Sequence, residues 1–139
     1  MIRIVLDTNV LVSGLLSHRA APGQIVGLVT AGEIEFACDQ RILAEYRDVL
    51  ARPELQINQT EAEDALQHIE QSALLVTPES WPEALPDPDD EPFLAVAKAS
   101  LALCLVTGNL KHFPAKARLD VRVLTPRQFV DALGEDEVS

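Results

Sequence analysis

Acidic residues at a few marked positions carry the chemistry this chain can be read for. The apolar run Ile2-Arg3-Ile4-Val5-Leu6 breaks on Asp7-Thr8-Asn9. Glu45 lies on the border of an apolar stripe at helical spacing (Ile42, Leu43, Tyr46, Val49, Leu50). Asp87, Asp89 and Asp90 crowd the stretch Pro86-Asp87-Pro88-Asp89-Asp90, just ahead of Phe93-Leu94 and Ala95-Val96-Ala97. A second short apolar run ends in Leu105-Val106-Thr107-Gly108-Asn109. In an open parallel sheet, ligands gather outside the carboxyl ends of the strands, where strand order reverses. Acids gathered there repel: two unit charges about 4 Å apart cost about 4 kcal/mol at an effective dielectric of about 20. Divalent cations held by oxygen ligands offset such repulsion, so the expected site is a metal site.

Each feature also has a plainer use. Asp7 is placed to cap a helix, and Glu45 to sit as a boundary glutamate. Asp87, Asp89 and Asp90 favour a helix start through capping and the macrodipole. Thr107-Gly108-Asn109 is a turn after a strand, with Gly108 permitting a tight one. Three acids are more than one cap needs, and Asp90, nearest the helix, is the best candidate among them. His18, His68 and His112 do not cluster, no Ser-His-acid spacing stands out, and no glycine-rich phosphate loop is present. Metal-dependent chemistry is the enzymatic option left standing.

The chain must position these groups within 139 residues, a length suited to one domain with a sizeable core. A net charge of −11 argues against holding nucleic acid by bulk electrostatics. It leaves room for a nucleic-acid enzyme, because a local basic face or a bound ion reverses the field at one site. Lys111, Lys116, Arg118, Arg122 and Arg127 supply such a late basic stretch, opposed there only by Asp120. Cys38 and Cys104 fall in apolar runs as small core residues, without zinc-type spacing. The first apolar run is too short for a secretory signal, and no run approaches a membrane span. A cytoplasmic protein without a membrane is expected.

Strand and helix signals alternate along the chain. Strands are expected at 2–6, 35–38, 74–76, 104–107 and 121–124. Helices are expected at 10–16, 24–30, 40–51, from the Thr60-Glu61-Ala62-Glu63 capping box to about 72, at 92–103 and at 126–133. Residues 77–91 are a proline-dense loop. The strands lack polar alternation, as in a parallel sheet covered on both faces, so the expected class is α/β with three layers. Residues 1–133 form one domain in this reading, and 134–139 a disordered acidic tail.

Taken in order, Asp7-Thr8-Asn9-Val10-Leu11-Val12-Ser13-Gly14, Glu45-Tyr46-Arg47-Asp48-Val49-Leu50, Asp87-Pro88-Asp89-Asp90 through Phe93-Leu94, and Val106-Thr107-Gly108-Asn109 resemble the successive motifs of PIN domains. They are most similar to those of VapC-type toxins of bacterial toxin–antitoxin modules. The resemblance implies a five-stranded parallel sheet of order 3-2-1-4-5 and a ribonuclease dependent on Mg²⁺ or Mn²⁺. It implies that Asp7, Glu45 and Asp90 hold the metal and that the fourth catalytic position, often aspartate, falls on Asn109. Thr8, Asn9, Thr107, Asp87 and Asp89 would support that site, and Lys111, Lys116 and Arg118 would contact RNA. A cognate antitoxin and a homodimer are implied partners. A haloacid-dehalogenase-like phosphatase also begins with an aspartate after its first strand. Its second acid would fall where this chain has Asn9, so it stands as the alternative beside a non-catalytic, partner-binding domain.

Overall fold

A computed structural model describes residues 1–138, with side chains through Gly134. Residues 134–138 of the expected disordered tail lie within the helix that ends at Val138, and Ser139 lies outside the described residues. The strands are β1 (Ile2–Leu6), β2 (Ile34–Cys38), β3 (Leu74–Leu75), β4 (Cys104–Val106) and β5 (Val123–Leu124). The helices are α1 (Thr8–Leu16), α2 (Ala21–Thr30), α3 (Gln40–Leu50), α4 (Gln59–Ser72), α5 (Glu91–Ser100) and α6 (Pro126–Val138). All strand pairings are parallel, and the five strands run in the order β3-β2-β1-β4-β5. Helices cover the sheet to give the expected three-layer α/β/α fold.

Burial on both faces explains why the central strands are apolar toward their carboxyl ends. Ile4, Val5 and Leu6 of β1 and Cys104, Leu105 and Val106 of β4 are all fully buried. Cys38 and Cys104 are free thiols inside this core, and burial pushes them up to about 11 and about 12 respectively. They serve as small apolar residues. No described helix is long and apolar enough to cross a membrane.

The topology fixes where a site can lie. From β1 the chain crosses to β2 and β3 on one side, then returns to place β4 on the other side of β1. The reversal of strand order therefore falls between the carboxyl ends of β1 and β4, where open α/β sheets bind ligands. Register places Leu6 beside Val106, and the Asp7 N–H extends the ladder to the Val106 carbonyl at 2.9 Å. Asp7 and Thr107 thus leave the sheet side by side.

Several boundaries differ from expectation for local reasons. α1 begins at Thr8, so Thr8 and Asn9 are its first residues rather than its caps. α4 is capped two residues earlier than expected, by Asn58 Oδ1 accepting from the Glu61 N–H at 3.1 Å. α5 stops at Ser100 because Leu101 turns left-handed, with φ 56°. Asp39 caps α3 as its sequence position suggests, accepting from the Ile42 N–H at 2.9 Å.

Candidate functional site

Asp7 is the innermost acid. It caps the entry to α1 by backbone geometry alone, since its side chain makes no capping bond. Its carboxylate turns instead to β4, where the fully buried Thr107 hydroxyl donates to Oδ2 at 2.7 Å. Thr107 Oγ1 in turn accepts from the Asn109 N–H at 3.1 Å. Asn9 completes this bridge between strand ends, its Oδ1 accepting from the Gly108 N–H at 3.3 Å. Burial raises the Asp7 pKa, and the bond from Thr107 works against that rise.

Glu45 reaches the same rim from α3. The buried Ile42, Leu43, Tyr46 and Leu50 set the helix against the core, leaving Glu45 half-buried at the margin. The Tyr46 hydroxyl donates to the Leu6 carbonyl, which pins α3 to the end of β1. On the neighbouring residue, Glu45 Oε2 accepts from the Thr8 hydroxyl. Its pKa is raised by burial first, and then by the charges of Asp7, Asp89 and Asp87.

Asp90 closes the third side. Asp87 begins a 3₁₀ turn over Pro88–Asp90 by accepting from the Asp89 N–H at 2.9 Å, and this turn leads directly into α5. The local structural role foreseen for the acidic run thus falls to Asp87. Asp87 and Asp89 stay exposed, while the side chain of Asp90 is only 13% exposed. Its pKa is raised to about 6, by burial and then by the Asp7 charge, with Asp87 and Glu45 adding to the rise and His112 opposing it. Asp90 Oδ2 is buried without an aligned hydrogen bond, although His112 Nδ1 lies 3.1 Å away. We read the pair as a close contact rather than a formed hydrogen bond.

The three acids act on one another electrostatically, yet they are not gathered as ligands. Among the described residues, no three of His, Cys, Asp and Glu form a group that could hold a metal ion. This corrects the expectation of a Mg²⁺ or Mn²⁺ cofactor. The physical reason lies in the partners: Asp7 turns to Thr107, Glu45 to Thr8 and Asp90 to His112, each carboxylate facing a protein group. All three acids hold their protons more tightly than free carboxyls do, with burial the first cause for each.

The remaining expected residues divide by location. Asn109 is at the rim, but its Oδ1 accepts from the Lys111 N–H at 3.2 Å and so caps a 3₁₀ turn over Leu110–His112. Lys111 is exposed on that turn. Lys116 is exposed on the next turn, and Arg118 folds back, its Nε donating to the Phe113 carbonyl at 2.6 Å. Two groups that the sequence pattern did not single out also stand here. Arg41, held to Asp39 at 2.7 Å, lines a cleft of about 290 Å³ that opens beside Glu45 with Pro88, Asp89 and Pro92. His112 is the other. A helical count of four residues back from Glu45 would have found Arg41, whereas nothing local in the sequence links His112 to Asp90.

Comparison with known proteins agrees with the fold. The PIN domain family model matches residues 3–111. The uncharacterized protein MJ1680 of Methanocaldococcus jannaschii is 25% identical over 141 residues, spanning 94% of this chain and 90% of that protein. The crystal structure of VapBC2 from Rickettsia felis, bound to a DNA fragment from their promoter, is similar in fold. Its TM-score is 0.60 at 15% identity, covering 89% of this chain and 98% of that one.

Proposed function

The chain belongs to the PIN domain family, and from that premise we propose that it is a ribonuclease that hydrolyses phosphodiester bonds at the cleft between Asp7, Glu45 and Asp90. One observation carries the reading: acids from the end of β1, from α3 and from the start of α5 come together at the reversal of strand order, where the Asp7 charge raises the proton affinity of both Glu45 and Asp90. A carboxyl raised to about 6, as that of Asp90 is, is suited to general acid–base work, and Glu45 is shifted in the same direction. Glu45, at the margin of the cleft, takes a proton from the water that attacks phosphorus. Asp90 returns a proton to the oxygen that leaves. Asp7, fixed by Thr107, holds the charge balance between them. Thr8 and Thr107 orient their carboxylates, Asn9 bridges the two strand ends, and Asn109 caps the turn that follows β4.

The biological setting that fits best is the toxin of a toxin–antitoxin module, with a small antitoxin as partner and a second copy of the chain completing a homodimer. Support comes from the order of the four sequence motifs, which is that of VapC-type toxins. The similarity in fold to the VapBC2 structure adds to it.

The reading is tested by incubating the purified protein with a defined single-stranded RNA, with and without EDTA, and identifying product ends by mass spectrometry. Internal cleavage that disappears in Glu45→Gln, with the variant folded, is the expected result. Turnover of acetyl phosphate or another phosphomonoester, with RNA left intact, would instead favour the phosphatase alternative.

A further inference from the structure

We propose that His112 is the residue through which this acidic cleft contacts a phosphate of its substrate, with Asp90 holding the ring by Nδ1 so that Nε2 meets a phosphate oxygen. The proposal rests on the ribonuclease reading for the identity of the substrate, but not for the geometry of the contact.

A cleft built of acids needs a donor group to accept a polyanion, and the basic side chains nearby are unequally free to serve. Arg41 is committed to Asp39, its Nε and Nη2 at 2.9 and 2.7 Å from Oδ2. Arg118 is committed to the Phe113 carbonyl. His112 faces the acids themselves, 3.1 Å from Asp90 and near enough for its field to act on Asp7. Its side chain is 43% exposed, which leaves room for a ligand at the ring.

The ring is also placed by rigid structure. Asn109 is tied to Thr107, and Thr107 to Asp7. The Asn109 carbonyl then accepts from the His112 N–H at 3.2 Å, and the next residue, Phe113, is fully buried. A continuous set of bonds therefore runs from Asp7 through the 3₁₀ turn to His112, which returns to Asp90. Asp90 Oδ2 is a buried acceptor still lacking an aligned donor, and Nδ1 is the donor in reach. Catalytic hydrogen bonds are often loose without substrate and tighten when it binds. With Nδ1 turned to a carboxylate, the outward nitrogen is fixed as Nε2, the arrangement by which acids orient histidines.

Two substitutions separate the two ring nitrogens. Asparagine places an amide near Nδ1 and keeps the Asp90 contact, whereas glutamine places one near Nε2. Binding of an RNA hexanucleotide is measured in a Glu45→Gln background, where hydrolysis lacks its general base, for that parent, His112→Asn and His112→Gln, alongside their thermal unfolding. The expected result is about tenfold weaker binding by His112→Asn at an unchanged melting temperature, with His112→Gln restored to within about threefold of the parent. Equal binding by His112→Asn and the parent overturns the proposal, as does a parent that does not bind the oligonucleotide. Cleavage of ordinary RNA, assayed in parallel with Asp7→Asn, keeps the two readings apart. RNA cleavage lost in Asp7→Asn, with binding indifferent to position 112, leaves the ribonuclease and removes His112. Binding that depends on His112 without any cleavage leaves the contact and removes the ribonuclease.

Discussion

At the scale of single residues, the site works through proton affinity, and that makes it testable by pH. The Asp90 pKa, about 6 in the folded protein against an ordinary 3.8, means that the native state binds this proton more tightly than the unfolded chain does. Stability from this group is therefore full below about pH 4 and is lost as pH rises through 6. Replacing Asp90 by Asn removes the titration. Asp90→Asn should unfold at a higher temperature than the parent at pH 8, by an amount bounded at about 3 kcal/mol, and should show little difference at pH 4. Melting curves at the two pH values check it, and a pH-independent difference would contradict it. Thr107 is the complementary case. Its buried hydroxyl is the donor that holds the Asp7 carboxylate, so Thr107→Val strands a buried acceptor at a cost of about 1–3 kcal/mol. Thr107→Ser should recover most of the loss in denaturant unfolding.

At the scale of elements, helix approach sets the rim. Two glycines in α2 predict opposite outcomes. A Cβ on Gly23 would stand 2.3 Å from the Ser17 carbonyl oxygen and 2.6 Å from the His18 Cα, so backbone at the α1–α2 turn would have to move. Gly23→Ala should destabilise by about 1–3 kcal/mol through overpacking. A Cβ on Gly27 meets nothing within 4 Å, and Gly27→Ala should stabilise by about 0.5–1 kcal/mol through helix propensity alone. Chemical denaturation of both variants decides between them. The same elements show what sequence makes visible. β1 and β4 were legible because both are short runs, apolar but for Arg3, that end on polar residues, and α3 because Asp39 precedes a clear apolar stripe. The start of α4 was misplaced because Asn58 and Thr60 are both capable caps, and only the fold shows Asn58 bonded to the Glu61 N–H. The end of α5 was overrun because Leu101 gives no sign that it turns left-handed.

At the scale of the whole molecule, a chain of net charge −11 concentrates acids where its sheet reverses order. The placing of Asp7 was legible, since a strand end beside a crossover is a site in any open parallel sheet. Glu45 and Asp90 could be nominated, but their meeting depends on Tyr46 anchoring α3 and on the 3₁₀ turn that swings Asp90 inward. The metal expectation failed at this scale, because charge counted along the sequence does not reveal which carboxylates already have protein partners. His112 was invisible for the same reason: its relation to Asp90 exists only once β4 and α5 are packed together. The central claim is that these converging acids cleave RNA, and Glu45 tests it most directly because it is half-buried at the margin and its loss leaves the core intact. The deciding measurement is the initial rate of cleavage of a defined RNA by Glu45→Gln and by the parent, at matched folded concentration. Loss of a general base lowers the rate by about 10²–10⁴-fold, and a fall of that size at an unchanged melting temperature is the predicted result. Equal rates for the two proteins would contradict the account.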